Sequence, residues 1–348
     1  MHSYWYTGTN NKCRNEVYFP RTQGYLQQLK RPGALLRQLQ LKSAAKAFLD
    51  RSGAWREASK FRFFSLGANS TVFSFRLQDQ DFVMRIGLDV SAYCRDSLVA
   101  RFAGHFPVPR VFETGNFDET RHYAISEKMP GWELRMLPLN KALKMLPLLS
   151  ETAGRIHAAD ISGSRGFGVF DHAGNGVASS WKEFLLSYHR YRDSDQWKKD
   201  LAGNIPGAGL LDHCLKRMEV FIPCCPERRR LVHGDFSFNN ILSDGRRITG
   251  VVDWQYCSAG DEVFDFATSH FWYGHSPLGK AWFGLFIEKL GHSENFDERF
   301  KCYLLKSAIG GLLNAILDRR PAAYHGRLTR VRHFMGMLDK PVVEWQSP

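Results

Sequence analysis

The segment 231–254, LVHGDFSFNNILSDGRRITGVVDW, constrains this chain more than any other. Asp244-Gly245 lies between two apolar runs, Asn240-Ile241-Leu242 and 247–253, which signals a tight β-hairpin. A hairpin returns the chain to its starting point, so it brings Asp253 back beside Asn240. Asp235 precedes Asn240 by five residues. Two carboxylates and one amide are therefore expected at one end of the hairpin. Mg²⁺ is a hard ion that takes one or two carboxylates together with phosphate oxygens. Asp253 and Asn240 are candidates to hold it against a nucleotide triphosphate. Asp235 is the candidate to accept the proton of an attacking hydroxyl, or to orient it.

The elements around this segment suggest an α+β chain in two parts. A helix is expected over 35–50, with Leu35, Leu36, Leu39, Phe48 and Leu49 on its apolar face. The runs 71–77 and 81–86 read as a second hairpin, followed by a helix over 91–103 and strand-like runs at 110–113 and 123–127. From Leu139 the pattern turns helical up to His157, then again over 180–191 and from 254 to about 337. The expected division is a nucleotide-binding part over 35–130 and a catalytic and substrate-binding part over 131–348. Residues 1–34, rich in Asn, Thr, Tyr and Gln, read as a poorly ordered or loosely docked extension.

Composition excludes several classes. With 44% apolar and 24% charged residues the chain is neither disordered nor collagen-like. The longest nearly apolar stretch, 308–317, is interrupted by Asn314 and is about half of what a membrane span needs. Seven cysteines without a C-x-x-C suggest reduced thiols and a cytoplasmic setting. The net charge is +12, which attracts anions in general. Yet residues 233–275 carry six acids against two strong bases. An acidic island at the acceptor site suits a cationic small molecule and repels nucleic acid. A catalytically silent nucleotide-binding or nucleic-acid-binding protein using the basic N-terminal segment is the competing class, and the presence of Asp235, Asn240 and Asp253 together opposes it.

The five-and-eighteen spacing of Asp235, Asn240 and Asp253 is that of protein kinases. However, Asp253-Trp254-Gln255 stands where a protein kinase has Asp-Phe-Gly, and no Ala-Pro-Glu follows. His233-Gly234-Asp235, Asn239-Asn240 and Val252-Asp253-Trp254 instead resemble the aminoglycoside phosphotransferase and choline kinase superfamily. Within it the chain is most similar to the hygromycin-type phosphotransferases, over about 41–339. Phe82-Val83-Met84-Arg85, Arg165-Gly166-Phe167-Gly168, Gly260-Asp261 and Phe271-Trp272 also carry this similarity.

The resemblance implies a bilobal protein-kinase-like fold, with a small mixed-sheet lobe and a larger, mainly helical lobe. It implies an ATP-dependent O-phosphotransferase, with GTP as a possible replacement, acting on an aminoglycoside and conferring resistance. Choline, homoserine, thioribose or sugar kinases are the alternative. Gly310-Gly311-Leu312-Leu313, where a hygromycin-type pocket would place polar groups, keeps that alternative open. The resemblance makes Asp235 the catalytic carboxylate, and Asn240 and Asp253 the Mg²⁺ ligands. Arg85 takes the place of the phosphate-gripping lysine, with Asp96 as its partner. Gly67, Asn69 and Ser70 would cover the phosphates, and Glu127 and Met129 would form the hinge that meets the adenine edge. Asn239, Asp261, Glu262, Asp265 and Trp272 are the expected acceptor-site residues. A monomer or weak dimer is expected.

Overall fold

The structure is a computed structural model that describes residues 34–66, 70–195, 197, 208–317 and 321–346. The expectation for the N-terminal extension, and those for Gly67 and Asn69, lie outside these residues. The smaller part is a five-stranded antiparallel sheet, β1 (Ser59–Leu66), β2 (Ser70–Leu77), β3 (Gln80–Gly87), β4 (Val111–Asn116) and β5 (His122–Glu127), in the order β1-β2-β3-β5-β4. Helix α1 (Ala34–Arg51) packs on one face. Alternate residues Phe73, Phe75, Phe82, Met84, Ile86, Tyr123 and Ile125 form a core there with Ala45, Leu49 and Trp55. Because side chains alternate along a strand, Arg85 falls on the opposite face, toward α2 (Val90–Phe102). Leu39, expected on the apolar face of α1, is exposed.

The larger part holds α3 (Leu139–His157), two small sheets and a helical C-terminal region. β7 (Phe167–Phe170), β8 (Gly176–Ala178), β9 (Arg230–Val232) and β12 (Ser258–Gly260) form one sheet in the order β8-β7-β12-β9. In the other, β6 (Trp132–Glu133) pairs with β10 (Ile241–Ser243), which forms the expected hairpin with β11 (Ile248–Val251). The single helix expected over 180–191 is two, α4 (Trp181–Leu185) and α5 (Ser187–Arg192). Lys306 explains the break. Its buried ammonium takes the carbonyls of Phe184 (2.8 Å) and Leu185 (3.0 Å) and the Ser187 hydroxyl (2.6 Å). Those carbonyls would otherwise have carried the helix forward. Next come α6 (Ala208–Phe221), α7 (Val263–Tyr273), α8 (Pro277–Leu290), α9 (Phe296–Leu317) and α10 (Pro321–Met335). Among the described residues, no helix is long and apolar enough to cross a membrane.

In the core of the larger part, aromatic side chains enclose His270. The His270 ring lies 4.1 Å from Phe283 and 5.5 Å from Phe334, and its Nδ1 has no partner. Burial lowers its pKa to about 3. The unfolded chain therefore binds a proton that the folded chain refuses between about pH 6.5 and 3, and stability falls as pH falls through that window. His270→Leu is expected to flatten the dependence of Tm on pH between 6.5 and 4.5, as read by thermal scans in a pH series.

Candidate active site

Asp235, Asn240 and Asp253 converge as the hairpin predicts. The Val252 N–H donates to the Asn240 carbonyl at 2.9 Å, closing the base of the hairpin. Asn240 Nδ2 donates to the Asp235 carbonyl at 2.9 Å and to its Oδ2 at 3.2 Å. Asp235 is 1% exposed, and its Oδ1 has no hydrogen-bond partner. Burial, reinforced by the nearby Asp253 carboxylate, pushes the Asp235 pKa up to about 8. Asp253 is raised to about 6, first by burial, while Arg85 pulls the other way. Its φ of 64° lies in the left-handed region, which side chains other than glycine seldom occupy. Strained backbone of this kind persists where surrounding structure holds it, and it clusters at functional sites.

The loop that carries Asp235 is fixed from behind. Asp265, on α7 and fully buried, accepts from the His233 N–H (3.0 Å), the Gly234 N–H (2.7 Å) and His157 Nε2 (3.0 Å). His233 donates through Nε2 to the Val252 carbonyl at 3.0 Å and accepts the Asp235 N–H at Nδ1. Burial lowers its pKa, so it is a neutral brace between the loop and the end of β11. Gly234 has φ 81°, and a Cβ there would lie 2.3 Å from the Tyr256 carbonyl oxygen. Only glycine fits that approach.

Arg85 reaches across from β3 and pairs with Asp96 on α2. Burial disfavours its charge, but Asp96 outweighs this and keeps the guanidinium firmly cationic. The other Asp96 oxygen accepts the Trp254 N–H at 3.0 Å, next to Asp253. One carboxylate thus ties the phosphate-gripping candidate to the metal-ligand candidate. Asp96→Ala removes a charged hydrogen-bond partner worth about 1.5–3 kcal/mol. The expected result is a fall of roughly 10–150-fold in kcat/KM for the nucleotide, with the acceptor KM little changed, in initial-rate kinetics.

Glu127 ends β5, and its N–H bonds the Arg110 carbonyl at 2.8 Å. Met129 lies over Gly250 of β11, where a Cβ would stand 3.0 Å from the Met129 Cβ. Thr249 donates to the Pro130 carbonyl at 2.5 Å. Met129 and the adjoining Pro130 therefore rest directly on the hairpin that carries Asn240 and Asp253. Ser70 opens β2.

The expected acceptor residues need correction. Asp261 is fully buried and takes Arg299 through two bonds of 2.8 and 2.7 Å, plus the Tyr303 hydroxyl at 2.7 Å. Asp265 serves the loop as described. Glu262 pairs with Arg228 at 2.8 Å. Asp261 and Asp265 spend their charge inside the fold, Glu262 gives one oxygen to Arg228, and Asp244 caps the hairpin turn by accepting from the Arg246 and Arg247 N–H groups, so the charge argument for a cationic acceptor loses most of its acids. Trp272 is 6% exposed, packed with Phe271 under the guanidinium groups of Arg327 and Arg330, and belongs to the core. Asn239 spends its amide inside the loop, accepting from Ser237 (2.9 Å) and Tyr273 and donating to Asn240 (3.2 Å). Leu312 and Leu313 are buried, so that stretch of α9 is core and not pocket lining.

Sequence reasoning missed Arg95. It is buried and donates to the carbonyls of Phe170 and Gln255, both at 2.7 Å, tying α2 to the larger part. Its partners lie 75 and 160 residues away, which leaves no local signal.

A small antiparallel sheet and a mainly helical region, with the three polar groups on the loop and hairpin between them, define a phosphotransferase of kinase-like fold. The phosphotransferase enzyme family known as APH matches residues 60–300, and the chain belongs to it. A curated relative, the hygromycin-B 4-O-kinase of Escherichia coli, is 28% identical over 265 residues, covering 73% of this chain and 74% of that protein. The crystal structure of aminoglycoside phosphotransferase APH(4)-Ia superposes with a TM-score of 0.77 at 26% identity, covering 84% of this chain and 97% of that one. A thermostable mutant of it, in a ternary complex with ADP and hygromycin B, gives the same values. The GDP complex of wild-type aminoglycoside 2'-phosphotransferase-IIIa, at 13% identity and a TM-score of 0.61, covers 84% of this chain and 98% of that one and shares the fold.

Proposed function

We propose that this chain transfers the γ-phosphoryl group of ATP to a hydroxyl of an aminoglycoside of the hygromycin type, and so confers resistance to it. The observation that carries the reading is the buried, unpartnered Asp235 Oδ1 beside Asn240 and Asp253. A buried carboxylate oxygen without a donor is costly unless a ligand supplies one. An acceptor hydroxyl is such a donor.

In this reading Asp235 takes the hydroxyl hydrogen on Oδ1 while the oxygen forms its bond to the γ-phosphorus and the bond to the β-phosphate oxygen breaks. Burial and the neighbouring Asp253 raise the proton affinity of the Asp235 carboxylate, and the positive charge of bound Mg²⁺ would keep it ionised until the hydroxyl hydrogen arrives. Phosphoryl transfer is catalysed mainly by positioning and charge, so orienting the hydroxyl matters as much as taking its proton. Arg85, held cationic by Asp96, would grip the phosphates. The Asn240 amide oxygen and the Asp253 carboxylate suit Mg²⁺, which keeps few protein ligands and completes its shell with phosphate oxygens and water. Bound there, Mg²⁺ would neutralise charge on the phosphates. The acceptor class is supported by the relatives, whose names specify hygromycin B. A monomeric or weakly dimeric cytoplasmic protein is part of the same reading.

The test is growth. A hygromycin-susceptible bacterium expressing the intact chain should tolerate a severalfold higher hygromycin B concentration than the same host expressing Asp235→Asn. Equal susceptibility at equal expression would count against hygromycin as the acceptor.

A further inference from the structure

We propose that Tyr273 is a positioning residue for phosphoryl transfer: through Asn239 it fixes which end of the Asn240 amide faces the cation. This rests on the reading of Asn240 and Asp253 as the Mg²⁺-holding pair. Tyr273 closes α7, and its ring packs against Phe238 with centroids 4.9 Å apart. Its hydroxyl donates to Asn239 Oδ1. Ser237 Oγ also lies 2.9 Å from that oxygen. Two donors therefore fix that oxygen, Ser237 from within the loop and Tyr273 from α7, and Tyr273 is the one that anchors Asn239 to the rest of the fold.

The consequence runs along two amides. With Oδ1 held by the phenol, Asn239 turns Nδ2 to Asn240 and donates to its Oδ1 at 3.2 Å. Asn240 must then offer oxygen on that side and Nδ2 to Asp235, the orientation found. An amide oxygen has two lone pairs, and Asn239 uses one. The other is the one a cation can take. Flipped, Asn240 would aim its NH₂ at the cation and its oxygen at the Asp235 backbone carbonyl, two repulsive contacts. Asp235 and the Tyr273–Asn239 relay therefore hold the amide from both sides. Groups that orient a metal ligand from behind are worth about 10–100-fold in metal affinity or activity.

Tyr273→Phe keeps the ring and its packing and removes only the donor. Mn²⁺ binding to the enzyme–ADP complex, followed by electron paramagnetic resonance, should weaken about tenfold or more. ADP affinity without metal and the acceptor KM should stay within about twofold. Asn239→Ala should match this loss, and the double variant should be no worse than either single one, since both break one relay. Unchanged Mn²⁺ affinity in Tyr273→Phe overturns the inference. So does a raised acceptor KM with metal affinity intact, which would make Tyr273 an acceptor contact. Unchanged Mn²⁺ affinity in Asn240→Ala would show that the metal-pair reading itself fails, and the inference with it.

Discussion

Asp235→Asn is expected to lower kcat by about 10²–10⁴-fold, the range that a positioned general base contributes. Asn keeps the shape of the side chain and loses the ability to take a proton. It can still accept a hydrogen bond, so the acceptor KM should change little. The loss should therefore appear in kcat and kcat/KM alike, the pattern of an interaction made in the transition state. The same variant should raise the Tm of the protein held in EDTA without nucleotide. Folded Asp235 keeps its proton up to about pH 8, whereas the unfolded chain releases it near pH 4. Stability is therefore lost as pH rises through that interval, and a neutral amide removes the loss. The gain should be present at pH 7 and vanish by about pH 4. A variant that lost activity together with Tm would be misfolded, and would leave Asp235 without a demonstrated chemical role.

Asp261→Ala should have the largest effect on stability. It strips a fully buried Arg299 of its two-pronged partner and Tyr303 of its acceptor. Removing one member of a buried ion pair costs about 3–5 kcal/mol, because the other charge stays desolvated. For a chain of this size that is a fall in Tm on the order of 10 °C. Replacing both partners by apolar residues, as in Asp261→Leu with Arg299→Met, should recover most of it. Well below the Tm, the acceptor KM of Asp261→Ala should equal that of the wild type. A raised KM with an unchanged Tm would restore Asp261 to the acceptor site.

These two aspartates show what the sequence can and cannot reveal. Asp235, Asn240 and Asp253 were legible because they span nineteen residues and a local Asp-Gly hairpin brings them together. Arg85 and Asp96 were legible for a similar reason: a strand runs directly into a helix and the partners are eleven residues apart. Asp261 and Asp265 were misread because an acid in a sequence is only a charge. Their partners, Arg299 and the His233-Gly234 backbone, lie 38 and 31–32 residues away, and only the fold shows that the charges are spent internally. Short strands failed on the same ground. Ser258-Ala259-Gly260 has no apolar period, and it is a strand because β7 and β9 flank it. β1 was missed because Phe63-Phe64 breaks the alternation and a bulge at Phe63–Ser65 shifts its register. The family resemblance places Asn239 in the acceptor site, and nothing local marks Tyr273, which lies thirty-four residues from Asn239.

The central claim, that Asp235 directs a phosphoryl group onto an acceptor hydroxyl, is tested most directly by product analysis. Purified protein would be incubated with ATP, Mg²⁺ and hygromycin B, alongside other aminoglycosides, choline and homoserine, and the products read by mass spectrometry and ³¹P NMR. The expected result is one added phosphoryl group on hygromycin B, as a phosphate monoester, absent with Asp235→Asn. Phosphorylation of choline or homoserine alone would keep the mechanism and refute the acceptor. Undiminished product with Asp235→Asn would contradict the role assigned to Asp235.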